Sequence, residues 1–133
     1  MKVSISVTDR RFKLDKRHIL SFVGQVLRDQ NAGDRMIDII YCRDKDIIPL
    51  NLKFKGENRS TDVLAFDLSE GRYLGEIYVN LEIAHRQAIE NRVPYKQEVD
   101  RLTIHGVLHL LGFRDNTPGK KAKMWSCQEG YLK

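Results

Sequence analysis

The sequence predicts a single α+β domain spanning residues 1–133, in which a four-stranded mixed sheet packs with about five helices. Three observations support this fold class. Segments with the strand period of two alternate along the chain with segments that have the helical period of 3.6. A connection of only four residues joins two of the strands, which makes them antiparallel neighbours. One helical segment is apolar nearly all round, so we expect this helix to run through the core.

The four predicted strands are short segments rich in β-branched and aromatic residues. They comprise residues 1–7, 36–42, 63–68 and 73–79. The first alternates apolar and polar side chains, whereas the second is mostly apolar and is therefore expected near the centre of the sheet. The last two form the predicted hairpin.

The boundaries of the first two helices are marked by capping residues and by glycine. The first helix is expected to begin after Asp15 and to end at Gly33. Asp44 or Asp46 is expected to cap a short second helix that continues through Phe54. These signals place two helices before the predicted hairpin.

The second helix contains Pro49, which is tolerated only within the first turn, because there its missing N–H would have had no partner. Leu50 and Phe54 are expected to face the interior from this helix.

Three further helices also begin at recognisable residues, namely Asn80 for the helix Leu81–Asn91, Pro94 for the fourth helix, and Thr117 before Pro118 for the fifth. On the fifth helix, Trp125 is expected to pack on the core, with stacking on RNA as the alternative.

The fourth helix carries a pattern typical of metal ligands. His105 and His109 are four residues apart, so their imidazoles project from one side of a helix about a turn apart. Gly112 can supply the left-handed residue that ends the helix, and the returning chain then brings Asp115 round as a third ligand. Such a set leaves a coordination position open, as in hydrolytic zinc sites. Gly106 adds support, because a glycine inside a helix costs about 1 kcal/mol and close approach of another backbone or a ligand would compensate this cost.

The sequence lacks the patterns that would support several other classes of function. A metalloprotease of the H-E-x-x-H type needs a glutamate where this chain has Gly106. There is no P-loop and no G-x-G-x-x-G pattern, so nucleotide hydrolysis and dinucleotide chemistry are not supported. No apolar run approaches the ~20 residues of a membrane span, so we expect a cytoplasmic protein without a membrane partner. Cys42 and Cys127 are expected to be reduced thiols.

The net charge of +5 favours a polyanionic partner. Many of the cations lie within or near the metal motif and the loop around residue 55, namely Lys53, Lys55, Arg59, Arg114, Lys120, Lys121 and Lys123. A basic rim beside a metal cleft is what a phosphodiester substrate requires. The alternative is a solvated surface that binds no partner.

Three segments resemble a known family. Residues 105–113, HGVLHLLGF, resemble the signature of the YbeY family, bacterial rRNA maturation factors regarded as single-strand-specific, metal-dependent endoribonucleases. Residues 51–66, NLKFKGENRSTDVLAF, and residues 74–77, LGEI, resemble two other segments of that family, so the resemblance covers roughly residues 35–116. It implies an endoribonuclease that acts in maturation of the 16S rRNA 3′ end and in ribosome quality control, with rRNA and ribosomal particles as partners.

The resemblance also implies one divalent metal held by His105, His109 and Asp115. Zinc is expected, and iron, nickel or manganese would suit two histidines and a carboxylate as well. Two neighbouring positions depart from the family pattern, since Asp115 stands where a third histidine is usual and Arg114 stands where an aspartate commonly precedes it.

The expected catalytic cations are Lys55 and Arg59, which would neutralise charge on the scissile phosphate. Lys55 stands where the family generally has an arginine, and Arg59 is the candidate that could replace that arginine. No residue stands out as the general base; Asp62 is a candidate, but a structural role at the start of its strand is favoured.

A second hypothesis is a ribosome-assembly or RNA-binding factor whose metal is mainly structural. A structural zinc site normally has four protein ligands. Cys127 could be the fourth only if the terminal helix folds back on the metal motif. In either case we expect a monomer.

Overall fold

A four-stranded mixed sheet forms the centre of the molecule in the computed structural model, which describes residues 2–133. The strands are β1 (Val3–Val7), β2 (Met36–Cys42), β3 (Val63–Glu70) and β4 (Tyr73–Asn80). They are ordered β1-β2-β4-β3, with β1, β2 and β4 parallel and β3 antiparallel to β4. The helices are α1 (Lys16–Asp29), α2 (Asp44–Lys55), α3 (Leu81–Asn91), α4 (Tyr95–Leu110) and α5 (Pro118–Gly130). The predicted α+β class, the mixed sheet and the helix count are confirmed.

The side chains of β2 alternate between two hydrophobic clusters, one on each face of the sheet. Ile39 and Tyr41 are fully buried in the larger cluster, to which α1, α3, α4 and α5 contribute. Ile40 and Cys42 belong to the smaller cluster on the other face, which α2 covers through Ile47. The central position predicted for this strand therefore follows from burial on both faces. Within residues 2–133, no helix is long and apolar enough to cross a membrane.

The strand boundaries agree closely with those predicted. The strand predicted at residues 1–7 is observed from Val3, and Met1 lies outside the described residues. β3 continues to Glu70, so the turn between β3 and β4 contains only residues 71–72. The two strands pair in antiparallel fashion, which confirms the predicted hairpin.

The predicted end of the first helix is wrong. Helix α1 ends at Asp29 rather than at Gly33, because Asn31 takes the left-handed conformation with φ 59°. The Ala32 N–H then donates to the Leu27 carbonyl at 2.7 Å, which satisfies a carbonyl at the helix end. Asparagine is one of the few residues other than glycine that adopts this conformation readily.

The predicted start of the second helix is also wrong. The N-cap of α2 is Arg43, and neither Asp44 nor Asp46 occupies that position. The Asp46 carboxylate instead accepts the Arg43 backbone N–H at 3.1 Å from within the first turn. Pro49 consequently lies beyond the first turn, inside the helix.

The inward face of α2 differs in part from the prediction. Leu50 packs against the smaller hydrophobic cluster, as predicted, whereas the Phe54 side chain is 57% exposed. Phe54 contacts Phe66 of β3, with ring centroids 4.9 Å apart. The Lys53 ammonium lies 5.3 Å from the centroid of the Phe54 ring, and more than half of Phe54 remains exposed.

Helix α4 lies directly on the sheet at a glycine. A Cβ at Gly106 would be 2.5 Å from Ile77 Cγ2, and Ile77 is a fully buried residue of β4. The close approach expected at this glycine is therefore present, although the neighbour is a side chain of the sheet rather than a backbone or a ligand. The missing Cβ allows α4 to pack at this depth.

We predict that Gly106→Ala destabilises the protein by about 1–3 kcal/mol, because the new methyl group overpacks the core against Ile77. Urea unfolding followed by circular dichroism measures the change. Gly24→Ala is the matched control, since Gly24 is also inside a helix but faces only the flexible end of Arg28. We expect this control either to leave the free energy of unfolding unchanged or to raise it by up to about 1 kcal/mol, because alanine is a better helix former than glycine. Equal effects of the two substitutions would contradict the packing argument.

Candidate metal centre

The two histidines of α4 lie side by side at its C-terminal end. The Nε2 atoms of His105 and His109 are 3.1 Å apart, and the ring centroids are separated by 4.7 Å. Both side chains are half-buried. The predicted placement of the imidazoles one turn apart on one side of the helix is therefore observed.

A tight turn returns the chain to these imidazoles. Gly112 has φ 103°, and the Phe113 N–H donates to the Leu108 carbonyl at 3.0 Å, which closes the end of α4. The chain then brings Asp115 Oδ2 to 3.5 Å from His109 Nε2. One donor atom from each of the two histidines and Asp115 lies within 4.8 Å of the others. The three predicted ligands are thus close enough to hold one ion.

Gln128 of α5 orients the first histidine. His105 Nδ1 lies 2.8 Å from Gln128 Oε1, an atom that can only accept, so Nδ1 carries the proton. The other end of this amide, Nε2, donates to Glu129 at 3.0 Å, which fixes the orientation of the amide. His105 Nε2 therefore presents its lone pair towards His109, as a metal ligand requires.

A chain of ion pairs holds Gln128 and Glu129 in place. Arg101 of α4 donates to both carboxylate oxygens of Glu129 at 2.9 Å and to Glu98 at 2.6 Å. The hydrogen bonds from Arg101 lower the pKa of Glu129, so this carboxylate stays ionised. Glu98 and Gln128 are each only 2% exposed, whereas Arg101 and Glu129 are partly exposed, so the network is partly buried where α4 and α5 meet.

The electrostatic environment of His109 keeps its ring neutral. Burial lowers the pKa of His109, and the neighbouring His105 lowers it further, although Asp115 opposes these effects. A neutral imidazole has the lone pair that metal binding needs. Two imidazoles and a carboxylate whose donor atoms lie within 4.8 Å of one another are a set that fits a divalent ion.

Two clefts meet at this cluster. The first cleft, of about 370 Å³, lies among α3, α4 and α5, and the second cleft, of about 430 Å³, lies between α4 and β3 and reaches the end of α2. Both are lined by Asp62, His105 and Asp115. A substrate longer than one residue could therefore occupy both clefts across the cluster.

The two predicted catalytic cations lie in different surroundings. Lys55, at the end of α2, lines the second cleft together with Arg114. Arg59 lines neither cleft; its side chain is 71% exposed, and its Nε donates to Glu57 at 2.6 Å. The structure thus brings Lys55 to the cleft beside the cluster and leaves Arg59 outside it.

Sequence reasoning missed one residue of the clefts, Gln128, and placed less weight on the clefts for two others, Asp62 and Trp125. Gln128 gave no signal, because it is 23 residues from His105 and the two meet only through helix packing. Asp62, given mainly a structural role, lines both clefts. Trp125 does not pack on the core as predicted; its side chain is 57% exposed at the first cleft.

The described residues 2–133 contain no fourth histidine, cysteine or carboxylate ligand within this cluster. Cys127 faces α1 instead, with Gln30 Nε2 3.8 Å from its sulfur. Both Cys127 and Cys42 are free, as predicted. The closed, four-ligand site typical of structural zinc is therefore not built here.

Residues 3–133 match the protein family described as Endoribonuclease YbeY. The relative of that name from Chlorobium phaeovibrioides is 34% identical over 134 positions, which cover 100% of this chain and 90% of the relative. The one from Syntrophus aciditrophicus is 32% identical over 133 positions, which cover 93% of this chain and 83% of the relative. The solution structure of TM1509 from Thermotoga maritima has a TM-score of 0.72 and 27% identity, over 98% of this chain and 86% of that one. The matched range thus includes every strand and helix of the fold.

We predict that Gln128→Met weakens the affinity of this cluster for a divalent ion, with Zn²⁺ as the probe, about 10- to 100-fold, because His105 loses the acceptor that orients its ring. Competition with a chelator of known zinc affinity measures the change. Gln25→Met makes the same chemical change at an exposed position of α1, where Gln25 donates to Asp29, and should leave zinc affinity unaltered. Wild-type affinity in a folded Gln128→Met variant would show that the hydrogen bond does not orient the ligand.

Proposed function

The chain belongs to the Endoribonuclease YbeY family, and from that membership we propose a metal-dependent endoribonuclease that cleaves single-stranded RNA at the cluster of His105, His109 and Asp115. The observation that carries the proposal is the convergence of three donor atoms within 4.8 Å where two clefts meet. The proposed substrate is ribosomal RNA, at the 3′ end of 16S rRNA, with ribosomal particles as the partner.

The proposed metal is a single zinc ion. Two imidazoles and one carboxylate are a ligand set used by hydrolytic zinc enzymes, and the same set suits iron, nickel or manganese. When bound, the ion supplies Lewis acidity, which activates water and polarises a phosphoryl oxygen. Asp115 adds a negative charge that a third histidine would lack, so the ion should be a weaker Lewis acid here than in a three-histidine site.

The residues of the second cleft have separable roles in this proposal. The Lys55 ammonium would bind the non-bridging phosphoryl oxygens, where negative charge develops during cleavage. Asp62 is the carboxylate outside the proposed ligand set that lines both clefts, and its oxygens accept from Thr61 and Gln87 at 3.4 and 3.3 Å. These contacts orient Asp62. We therefore assign it the role of general base, which accepts the proton of the attacking group.

Arg59 has a secondary place in the proposal. To reach the phosphate it would have to leave Glu57, to which it donates at 2.6 Å. We therefore assign neutralisation of the developing charge to Lys55 ahead of Arg59.

The competing function, an assembly factor with a structural metal, has less support. A structural ion needs a closed shell, and among residues 2–133 the cluster offers three donors at the junction of two clefts. An open position is the arrangement that hydrolysis requires.

We expect purified protein to contain one equivalent of metal and to cleave single-stranded RNA, and His109→Ala to lose both properties because a ligand is missing. Elemental analysis and a cleavage assay on the same samples measure the two quantities. Activity should fall by more than the ~10–100-fold loss that is typical when a residue that only orients a metal ligand is replaced. His85→Ala is the control, since His85 is exposed on α3 outside the cluster. Full cleavage by metal-free His109→Ala protein would refute the metal-dependent mechanism.

We expect Lys55→Ala to lower kcat/KM for RNA cleavage about 10²-fold, because a cation that faces the developing phosphoryl charge is removed. Lys53→Ala is the charge-matched control from the same helix, where Lys53 lies over the Phe54 ring instead of in a cleft. Arg59→Ala should lower kcat/KM less than Lys55→Ala does. A larger loss in Arg59→Ala than in Lys55→Ala would reverse the assignment.

A further inference from the structure

The first cleft has an apolar floor and an exposed aromatic side chain. Leu102 of α4 and Met124 of α5 line it and are only 5% and 2% exposed. Trp125, the next residue along α5, also lines the cleft but leaves 57% of its surface exposed. The indole is the only tryptophan of the chain. A large apolar side chain exposed beside a concave site is a feature of ligand-binding surfaces rather than of a folding core.

The two clefts differ in charge. Apart from the residues that they share, the second cleft has two cations, Lys55 and Arg114, and one carboxylate, Asp67. The charged residues that line only the first cleft are two cations and two carboxylates: Arg101, Lys121, Glu90 and Glu98. The guanidinium of Arg101 is already bound by Glu98 and Glu129. The second cleft is therefore the better place for a phosphate, and the first cleft suits a neutral, flat group.

Two amide side chains lie at the polar wall of the first cleft. Gln87 of α3 donates through Nε2 to Asp62 at 3.3 Å, so its carbonyl oxygen remains available as an acceptor. Asn91, one turn further along α3, is exposed and offers both a donor and an acceptor. Such groups can bind the edge of a base whose face stacks on an aromatic ring.

We propose that the first cleft binds one unpaired nucleobase of the RNA substrate, next to the phosphate that is cleaved, with the base stacked on Trp125 and its edge facing Gln87 and Asn91. This inference rests on the proposed function for its substrate class. His105 and Asp115 border both clefts, so a nucleotide with its phosphate at the cluster can place its base in the first cleft. Trp125 then determines how tightly the enzyme holds its substrate.

The first test uses the fluorescence of Trp125, which reports on this cleft alone because the chain has no other tryptophan. The full chain is mixed by stopped flow with a single-stranded RNA hexamer of adenosine, so that binding is observed before much cleavage occurs. We expect saturable quenching of the indole by the hexamer and none by ribose 5-phosphate, which has the phosphate and the sugar but no base. Identical responses to both probes would overturn the proposal.

The second test compares steady-state cleavage by variants of the exposed residue. Trp125→Ala should raise KM about 5- to 140-fold with kcat little changed, the equivalent of the ~1–3 kcal/mol that one base–aromatic stack contributes. Trp125→Phe keeps an aromatic face and should recover most of this loss. Ile89→Ala is the control, because Ile89 is 67% exposed on α3 outside both clefts. Wild-type KM in Trp125→Ala would overturn the proposal.

The two tests separate this inference from the proposed function. Quenching by the hexamer without any cleavage by wild-type protein would support the base site and refute the nuclease. Cleavage without quenching would support the nuclease and refute the base site. Neither quenching nor cleavage would refute both.

Discussion

The contact between α4 and β4 determines where the two histidines lie. Because Gly106 has no Cβ, the backbone of α4 rests on Ile77, and His105 and His109 on the flank of α4 are held beside the sheet. Helix α5 then packs against the outer side of α4, and Gln128 reaches His105 from there. Both clefts border His105, and the second cleft also borders His109. A shift of α4 away from the sheet would therefore disturb ligand geometry and both clefts at once.

The part of the site that could be predicted is the part encoded by neighbouring residues. One helical turn separates His105 from His109, and one glycine turn at Gly112 returns Asp115, so spacing alone predicts their convergence. The hydrogen bond from His105 to Gln128 could not be predicted, because it depends on how α5 packs on α4 rather than on any local pattern. The fold class, most of the strand boundaries and three helix caps were likewise set by local signals.

The errors concern exposure and competing caps. Periodicity shows which residues share a face of a helix, but it does not show whether another element covers that face. Phe54 lies over an edge strand and Trp125 lies beside a cleft, so both stay largely exposed. Both are large apolar residues of the kind that commonly fills a core. At the end of α1, Asn31 adopts the left-handed conformation before Gly33 is reached. The two exposures depend on neighbours that are distant in sequence. The end of α1 depends on which of two residues that tolerate a positive φ adopts the left-handed conformation.

The meeting of the two clefts at the cluster supplies a physical reason why the proposed nuclease would prefer single strands. A nucleotide whose phosphate lies near Lys55 and whose base lies against Trp125 must turn that base away from its neighbours in the strand. In a duplex this turn breaks base pairing and stacking, at a cost of a few kcal/mol, whereas an unpaired base avoids the pairing cost. Discrimination then requires no contact that recognises a particular sequence, because the cost of deforming the substrate favours the single strand. The two cations of the second cleft and the exposed aromatic ring of the first cleft are together sufficient for this selection.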